Sequence, residues 1–214
     1  MTDHLWYASY GSNLLRERFM AYIRGGKVPG AGFEQVGCTD RTPPRQDVGI
    51  LILHRLYFAW TSAPWENAGV AFIRKEREEA ARTLGRMYLI SEDQFREVVL
   101  QENGHRRLDV DLDMDLERTL EEGSSVLPGL RYGTLLHLGQ EQGHPIFTFT
   151  ATWEDDDAPI NPPGPRYLEV ISRGLREAYR LTNEGVVDYL RNVPGIPEGY
   201  SEAELVRIVG EGTV

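Results

Sequence analysis

The N-terminal region combines an aromatic stretch, a glycine turn and the beginning of a helical pattern within a short span. Residues 5–9 are mostly aromatic and small, a composition typical of a buried strand. Gly11, Ser12 and Asn13 are turn residues, and from Leu15 onward the apolar residues recur with the period of an α-helix. We therefore predict a strand, a tight turn and a helix capped by Ser12 or Asn13.

A helix that begins directly after a turn presents free backbone N–H groups to an anion. Gly11 has no side chain to keep a ligand away from the backbone. The N–H groups of Gly11 to Leu14 are therefore candidates for binding a carboxylate or a phosphate. A purely structural turn between strand and helix has the same pattern, and the residues alone leave both interpretations open.

Length and charge limit the classes of function. A chain of 214 residues can form a single domain with its own core, and we predict one domain over residues 1–214. The net charge of −10 disfavours binding to nucleic acid or anionic membranes. The single cysteine, Cys38, excludes an internal disulfide and a multi-cysteine zinc site. No apolar run suggests a signal peptide or a membrane span, so we expect a cytoplasmic protein.

The density of predicted strands favours an α+β fold with a mixed, barrel-like β-sheet and flanking helices. A continuous apolar run over 48–53 predicts a strand buried on both faces. A long loop is predicted over 25–47, and no glycine-rich dinucleotide fingerprint follows a strand. Further predicted elements are strands over 54–61, 69–73 and 84–90, a hairpin over 130–138 and 145–152, a helix beginning at Pro165, and helices over 184–191 and 201–209.

The sequence specifies one helix well at both ends. Ser91 and Gln94 have the spacing of a capping box, and Asn103-Gly104 is a stop signal. One face of this helix carries Phe95, Val98, Val99 and Glu102.

The position of Glu102 on an apolar face has two interpretations. In the first, the last turn frays and Glu102 reaches solvent or pairs with Arg106, four residues further on. In the second, Glu102 is partly buried, which is rare for a carboxylate unless it is paired or functional. Burial would raise its pKa and suit it to proton transfer near neutral pH.

An acidic segment over 108–116 alternates aspartate with apolar residues. Its period of two predicts a half-exposed edge strand. A calcium-binding loop beginning at Asp111 would need glycine where Leu116 stands, so that alternative is disfavoured. The chain also has no His-Glu-x-x-His zinc motif and no Gly-x-Ser-x-Gly serine-hydrolase motif. We predict no metal site.

Three segments together resemble the gamma-glutamylcyclotransferase-like family. Tyr10-Gly11-Ser12-Asn13-Leu14 after an aromatic strand is similar to the family's substrate-holding loop. Gln101-Glu102-Asn103-Gly104 is similar to the segment that ends at the family's proton-transferring glutamate. The proline-rich segment before Tyr167, which leads into a helix containing Gly174, resembles a segment near the family's C-terminus.

The resemblance implies a fold, a reaction and a site. Tyr10, Gly11, Ser12, Asn13 and Leu14 would bind a small γ-glutamyl substrate. The substrate's α-amine would attack its own γ-amide, which releases 5-oxoproline and an amine, amino acid or peptide. Glu102 would be the general acid and base, and no cofactor is implied. In the family, tyrosines often line the site soon after the glutamate and on the later strand. Residues 103–115 contain no tyrosine here, a departure from that pattern, and Tyr88, Tyr132 or Tyr167 could take their place.

Two other classes of function remain open from the sequence. A non-catalytic module could use the same loop to bind an acidic metabolite or a peptide terminus. A metal-dependent deacylase is a third hypothesis, and it predicts inhibition by chelators.

Overall fold

A computed structural model describes residues 3–27, 34–153 and 157–211. The strands are β1 (His4–Ser9), β2 (Gly26–Lys27), β3 (Glu34–Gln35), β4 (Asp47–Ile52), β5 (Leu56–Ser62), β6 (Ala68–Ile73), β7 (Thr83–Ser91), β8 (Ser124–Val126), β9 (Thr134–Glu141) and β10 (His144–Thr150). The helices are α1 (Arg16–Arg24), α2 (Glu92–Glu102), α3 (Leu116–Glu122), α4 (Pro165–Tyr179), α5 (Asn183–Leu190) and α6 (Glu202–Glu211).

The central sheet has six strands in the order β4-β7-β1-β10-β9-β8. Strand β1 lies inside the sheet, antiparallel to β7 and parallel to β10. This position explains its aromatic composition, because both of its faces are covered. The predicted mixed sheet with flanking helices is confirmed. Strands β4 and β8 are not paired with each other in the described residues, so the sheet is open and not a closed barrel.

A second, two-stranded sheet of β5 and β6 packs beside the central one. Thr150, the last residue of β10, links the two sheets through its hydroxyl, which accepts from Ile73 N–H and donates to the Ile73 carbonyl. The small sheet is thereby fixed against the edge of the core at which β1 ends.

Helix α2 follows its sequence signals closely. The Ser91 side chain accepts from Gln94 N–H, and the Gln94 side chain accepts from Ser91 N–H, so the capping box is present. The helix ends at Glu102, and Asn103 is its C-cap. Helix α4 begins at Pro165 as predicted.

Strand β4 differs from the prediction of a strand buried on both faces. It is an edge strand, and Val48 and Leu51 are 40% and 48% exposed. An apolar run indicates a strand but does not reveal its place in the sheet, because only the neighbouring strands decide burial. The Tyr179 hydroxyl covers one side of β4 and donates to the Ile50 carbonyl at 2.8 Å.

The acidic edge strand predicted over 108–116 is also wrong. Residues 108–115 are irregular, and Asp115 instead caps α3, accepting from Arg118 N–H at 2.9 Å. The cap uses the carboxylate that the alternating pattern would have placed on a strand face. Within the predicted loop over 25–47, β2 and β3 form a short hairpin, and residues 28–33 lie outside the described residues.

In the described ranges, each helix is too short or too polar to cross a lipid bilayer.

Candidate active site

The loop after β1 is a 3₁₀ turn over Ser12–Leu14, and α1 follows with Leu15 at its N-cap. The predicted cap by Ser12 or Asn13 is therefore wrong, since the cap position has no side-chain hydrogen bond. The reason is that the 3₁₀ turn moves the N-cap position to Leu15, and the Asn13 amide instead contacts other side chains. Its Nδ2 donates to Glu102 Oε1 at 2.7 Å and lies 3.4 Å from the Tyr7 hydroxyl.

The backbone donors of this loop are only partly used. The Leu14 N–H donates to the Gly11 carbonyl at 3.0 Å, so it is not free to bind an anion. Within the described residues, the N–H groups of Gly11, Ser12 and Asn13 have no backbone partner. These three N–H groups are the donors of the predicted loop that remain candidates for binding an anion.

The structure brings Asn13 and Glu102 together across 89 positions of sequence. Asn13 is buried, with 3% of its surface exposed, and Glu102 is half-buried at the end of α2. The Asn13 Oδ1 atom is buried and has no hydrogen-bond partner. The pairing of Glu102 with Arg106 is not formed.

Burial raises the pKa of the Glu102 carboxyl above its ordinary value. The charges of Arg18 and Arg131 oppose this rise, as do hydrogen bonds from Tyr22 and Asn13. Arg131 also donates to the Glu102 main-chain carbonyl at 2.9 Å, where a cation complements the C-terminal end of a helix dipole. The carboxyl is thus desolvated and still surrounded by donors, an environment suited to gaining and losing a proton.

Two adjacent spaces meet at Glu102. An inner recess of about 30 Å³ is bounded by the loop of Gly11 to Asn13. An outer cavity of about 360 Å³ extends towards the Trp65 side of the molecule. The residues that line both spaces are Ser12, Glu102, Tyr132 and Tyr167.

Tyrosines hold the walls of these spaces. The Tyr167 hydroxyl accepts from Ala71 N–H at 3.1 Å, and the Tyr132 hydroxyl donates to the Ala71 carbonyl at 3.1 Å. A Cβ on Gly11 would lie 2.9 Å from the Tyr167 hydroxyl, so glycine is needed there. The Tyr88 hydroxyl donates to the Asn13 carbonyl at 2.7 Å from beneath the loop.

The remaining residues of the predicted loop have different surroundings. Gly11, Ser12 and Asn13 line the inner recess. Tyr10 also borders it, but its hydroxyl donates to the Phe149 carbonyl at 2.6 Å, which anchors the loop to the sheet. Leu14 is fully buried and borders neither space.

Arg18, which was not predicted as a site residue, lines the outer cavity and is 2% exposed. Its spacing carried a signal: Arg18 lies three residues after Leu15 and four before Tyr22, on the apolar face of α1. A charge on an apolar helix face is the same signal that singled out Glu102. The same cavity is lined by three further residues that were not predicted, Tyr22, Trp65 and Arg131.

The described residues contain no group of three or more His, Cys, Asp or Glu side chains placed to hold a metal ion. Cys38 is buried against the Tyr22 carbonyl, and burial raises the pKa of its thiol.

No protein-family model matches the chain. A relative from Arabidopsis thaliana, histone deacetylase 5, is 36% identical over 201 residues, which are 87% of this chain and 30% of that protein. The chain therefore spans less than a third of that relative's length.

Two solved structures share the fold. A gamma-glutamyl cyclotransferase matches with a TM-score of 0.51 and 19% identity, covering 97% of this chain and 99% of its own. A human protein described as uncharacterised matches with a TM-score of 0.50 and 18% identity over the same shares. At this identity the likeness concerns the fold alone. The chain has the gamma-glutamyl cyclotransferase-like fold.

Proposed function

We propose that the chain converts a small γ-glutamyl compound into 5-oxoproline and a free amine, with Glu102 as general acid and base. The observation that carries this proposal is the 2.7 Å hydrogen bond between Asn13 Nδ2 and Glu102 Oε1. It joins a loop with free backbone donors to a desolvated carboxyl at the boundary between two spaces. A carboxyl that only stabilised the fold would not need to border two cavities and a loop with unpaired N–H groups. A carboxyl that transfers protons to and from a bound substrate would need both.

The inner recess suits the α-amino acid end of the substrate. A water occupies about 10–15 Å³ of such space, so the recess of about 30 Å³ has room for a group of carboxylate size. The N–H groups of Gly11, Ser12 and Asn13 would bind this α-carboxylate. The unpartnered Asn13 Oδ1 and the Glu102 carboxylate are acceptors for the adjacent α-ammonium.

The proposed reaction moves two protons from the attacking nitrogen to the leaving nitrogen. Glu102 takes a proton from the α-ammonium, and the freed amine nitrogen attacks the γ-carbonyl carbon of the same molecule. A new C–N bond closes the five-membered ring, while the carbonyl oxygen gains negative charge in the tetrahedral intermediate. Glu102 then returns the proton to the leaving nitrogen as the original amide bond breaks. It next takes the second proton from the ring nitrogen, which leaves the lactam N–H, and passes this proton to the released amine, which departs as an ammonium. The chain's contribution is orientation and proton transfer, and neither step calls for a metal or an organic cofactor.

The first test replaces Glu102 with glutamine, which keeps the size of the side chain and its acceptor oxygen. We expect Glu102→Gln to fold normally and to lose turnover by about 10²–10⁴-fold, the usual contribution of a general acid–base group. The measurement is 5-oxoproline release from a panel of γ-glutamyl amino acids and γ-glutamyl amines.

The matched control is Glu97→Gln, because Glu97 lies on the same helix but is bound to Thr39 at the exposed surface. This control should keep the turnover of the wild type. Near-full turnover by Glu102→Gln would contradict the assigned role. Binding without product across the whole panel would instead support the non-catalytic module.

A further inference from the structure

We infer that Arg18 determines specificity by binding an anionic group on the half of the substrate that is released as the amine. This inference rests on the proposed function for the orientation of the substrate. The observation behind it is a buried guanidinium with unused donors on the wall of the outer cavity.

Arg18 lacks the partners that a buried cation ordinarily has. Its Nε and Nη1 atoms are buried without a hydrogen-bond partner, and its Nη2 reaches only the Tyr22 hydroxyl, at 3.4 Å. No carboxylate of the described residues lies within ion-pair distance of it. The guanidinium packs over the Trp65 ring at 4.9 Å, which holds it in place but satisfies none of its N–H groups.

The position of Arg18 relative to Glu102 assigns the anion to the released half. Glu102 borders both spaces, so the bond that it helps to break lies at their boundary. The α-carboxylate belongs in the inner recess, whose lining does not include Arg18. The released group must then extend into the outer cavity, where Arg18 lies.

The charge of the outer cavity supports an anionic occupant. The chain as a whole has a net charge of −10, yet basic side chains outnumber acidic ones in the lining of this cavity. The basic side chains are Arg18, His105, Arg106 and Arg131, against the carboxylates Glu34 and Glu102. An arginine matches the two oxygens of a carboxylate with paired hydrogen bonds. The substrate class is therefore a γ-glutamyl compound whose amine carries a carboxylate.

The test compares two compounds that differ only in this group. γ-Glutamylglycine releases an amine with a carboxylate, whereas γ-glutamylethylamine releases one in which a methyl group replaces that carboxylate. We expect the wild type to prefer γ-glutamylglycine in kcat/KM by about 10- to 100-fold, the value of a charged hydrogen-bonded pair. Arg18→Met should bring this ratio close to one, and Arg18→Lys should restore part of it.

The control variant is Arg24→Met, which removes an exposed arginine from the same helix and should keep the wild-type ratio. A preference for γ-glutamylglycine that persists in Arg18→Met would overturn the inference. So would an equal fall for both compounds, because Arg18 would then act on something that they share, either the α-carboxylate or the ionisation of Glu102.

A binding experiment separates this inference from the proposed reaction. Calorimetric titration of the wild type and of Arg18→Met with the two compounds needs no turnover. Tighter binding of γ-glutamylglycine that depends on Arg18 supports the inference even if no 5-oxoproline forms. Equal binding of the two compounds overturns the inference about Arg18 but leaves the proposed reaction possible. Binding of neither compound also overturns the inference.

Discussion

Arg18 and Arg86 are both buried arginines, but they have opposite surroundings. Arg86 is 7% exposed and donates to Asp47 Oδ1 at 2.9 Å, to Glu177 Oε1 at 2.7 Å and to the Leu14 carbonyl at 3.2 Å. Arg18 is 2% exposed and has no carboxylate partner in the described part of the chain. The difference indicates that Arg86 stabilises the fold, whereas the Arg18 site is completed only by a ligand.

After Glu102→Gln, the largest effect on activity is expected at Asn13, which joins the loop near Arg18 to Glu102. Asn13→Ala removes the 2.7 Å hydrogen bond and leaves the carboxyl unpositioned. We expect kcat/KM for 5-oxoproline release to fall by about 10- to 100-fold, since a hydrogen bond to a charged group contributes about 1.5–3 kcal/mol. Asn13→Ala and Glu102→Gln both act through the Glu102 carboxyl. Adding Asn13→Ala to the Glu102→Gln variant should therefore lower kcat/KM almost no further. Additive losses would show that Asn13 acts independently of Glu102.

The two arginines should differ sharply in their effect on stability. Arg86→Met leaves Glu177 without its ion-pair partner and Asp47 with Arg16 alone, and we expect it to lower the free energy of unfolding by about 3 kcal/mol. This is the low end for a broken buried pair, because Asp47 and Glu177 keep some contact with solvent. Arg18→Met removes an unpaired charge and a ring contact together, so its change should stay within about 1 kcal/mol. Denaturant unfolding measures both, and equal losses would assign Arg18 a structural role.

The pH dependence of turnover should reflect the burial of Glu102. Its ionised form is the base, so kcat/KM falls as the pH drops through its pKa. Because burial raises this pKa, the acid limb should lie above the ordinary value of 4.5. The effect on stability has the opposite sign to that of a paired carboxylate. The folded state favours the protonated form, so this group's contribution to stability decreases as the pH rises from the unfolded pKa through the folded one. An acid limb at or below 4.5 would contradict the assignment.

The smallest effect should come from removing the Tyr22 hydroxyl, which interacts with both Arg18 and Glu102. It contacts Arg18 Nη2 at 3.4 Å, and its hydrogen bond lowers the pKa of Glu102. Tyr22→Phe should therefore move the acid limb of kcat/KM to higher pH and cost about 1 kcal/mol in unfolding free energy. A limb that stays in place or moves to lower pH would show that this hydroxyl does not interact with Glu102.

The sequence predicted the parts of the site that depend on local signals. The capping box and the stop signal bounded α2, and the face of that helix singled out Glu102. The strand and turn at the N-terminus were predicted from composition and glycine alone. Such features depend on residues a few positions apart, which are close to each other in the sequence and in space.

Other features depended on tertiary neighbours that the sequence does not reveal. The apolar run of β4 did not indicate an edge position, and the cap candidates Ser12 and Asn13 did not indicate that a 3₁₀ turn would precede α1. Arg18 could have been flagged from its helix face, but its lack of a carboxylate partner follows only from the packing of α1 against its surroundings. Local patterns therefore predicted which residues were candidates for the site. Only the tertiary contacts showed whether each of them is paired, buried or exposed.

The glycine in the middle of α4 has a consequence for how tightly a ligand can bind. A Cβ on Gly174 would lie 2.5 Å from the Leu15 nitrogen and 2.6 Å from the Leu14 carbonyl carbon. The helix backbone thus rests directly on the chain that follows the loop donors, and no side chain separates them. A rigid element of fifteen residues holds this segment in one conformation before any ligand arrives. Association then loses little conformational entropy at the loop, so even a small anion can gain most of the free energy of its hydrogen bonds.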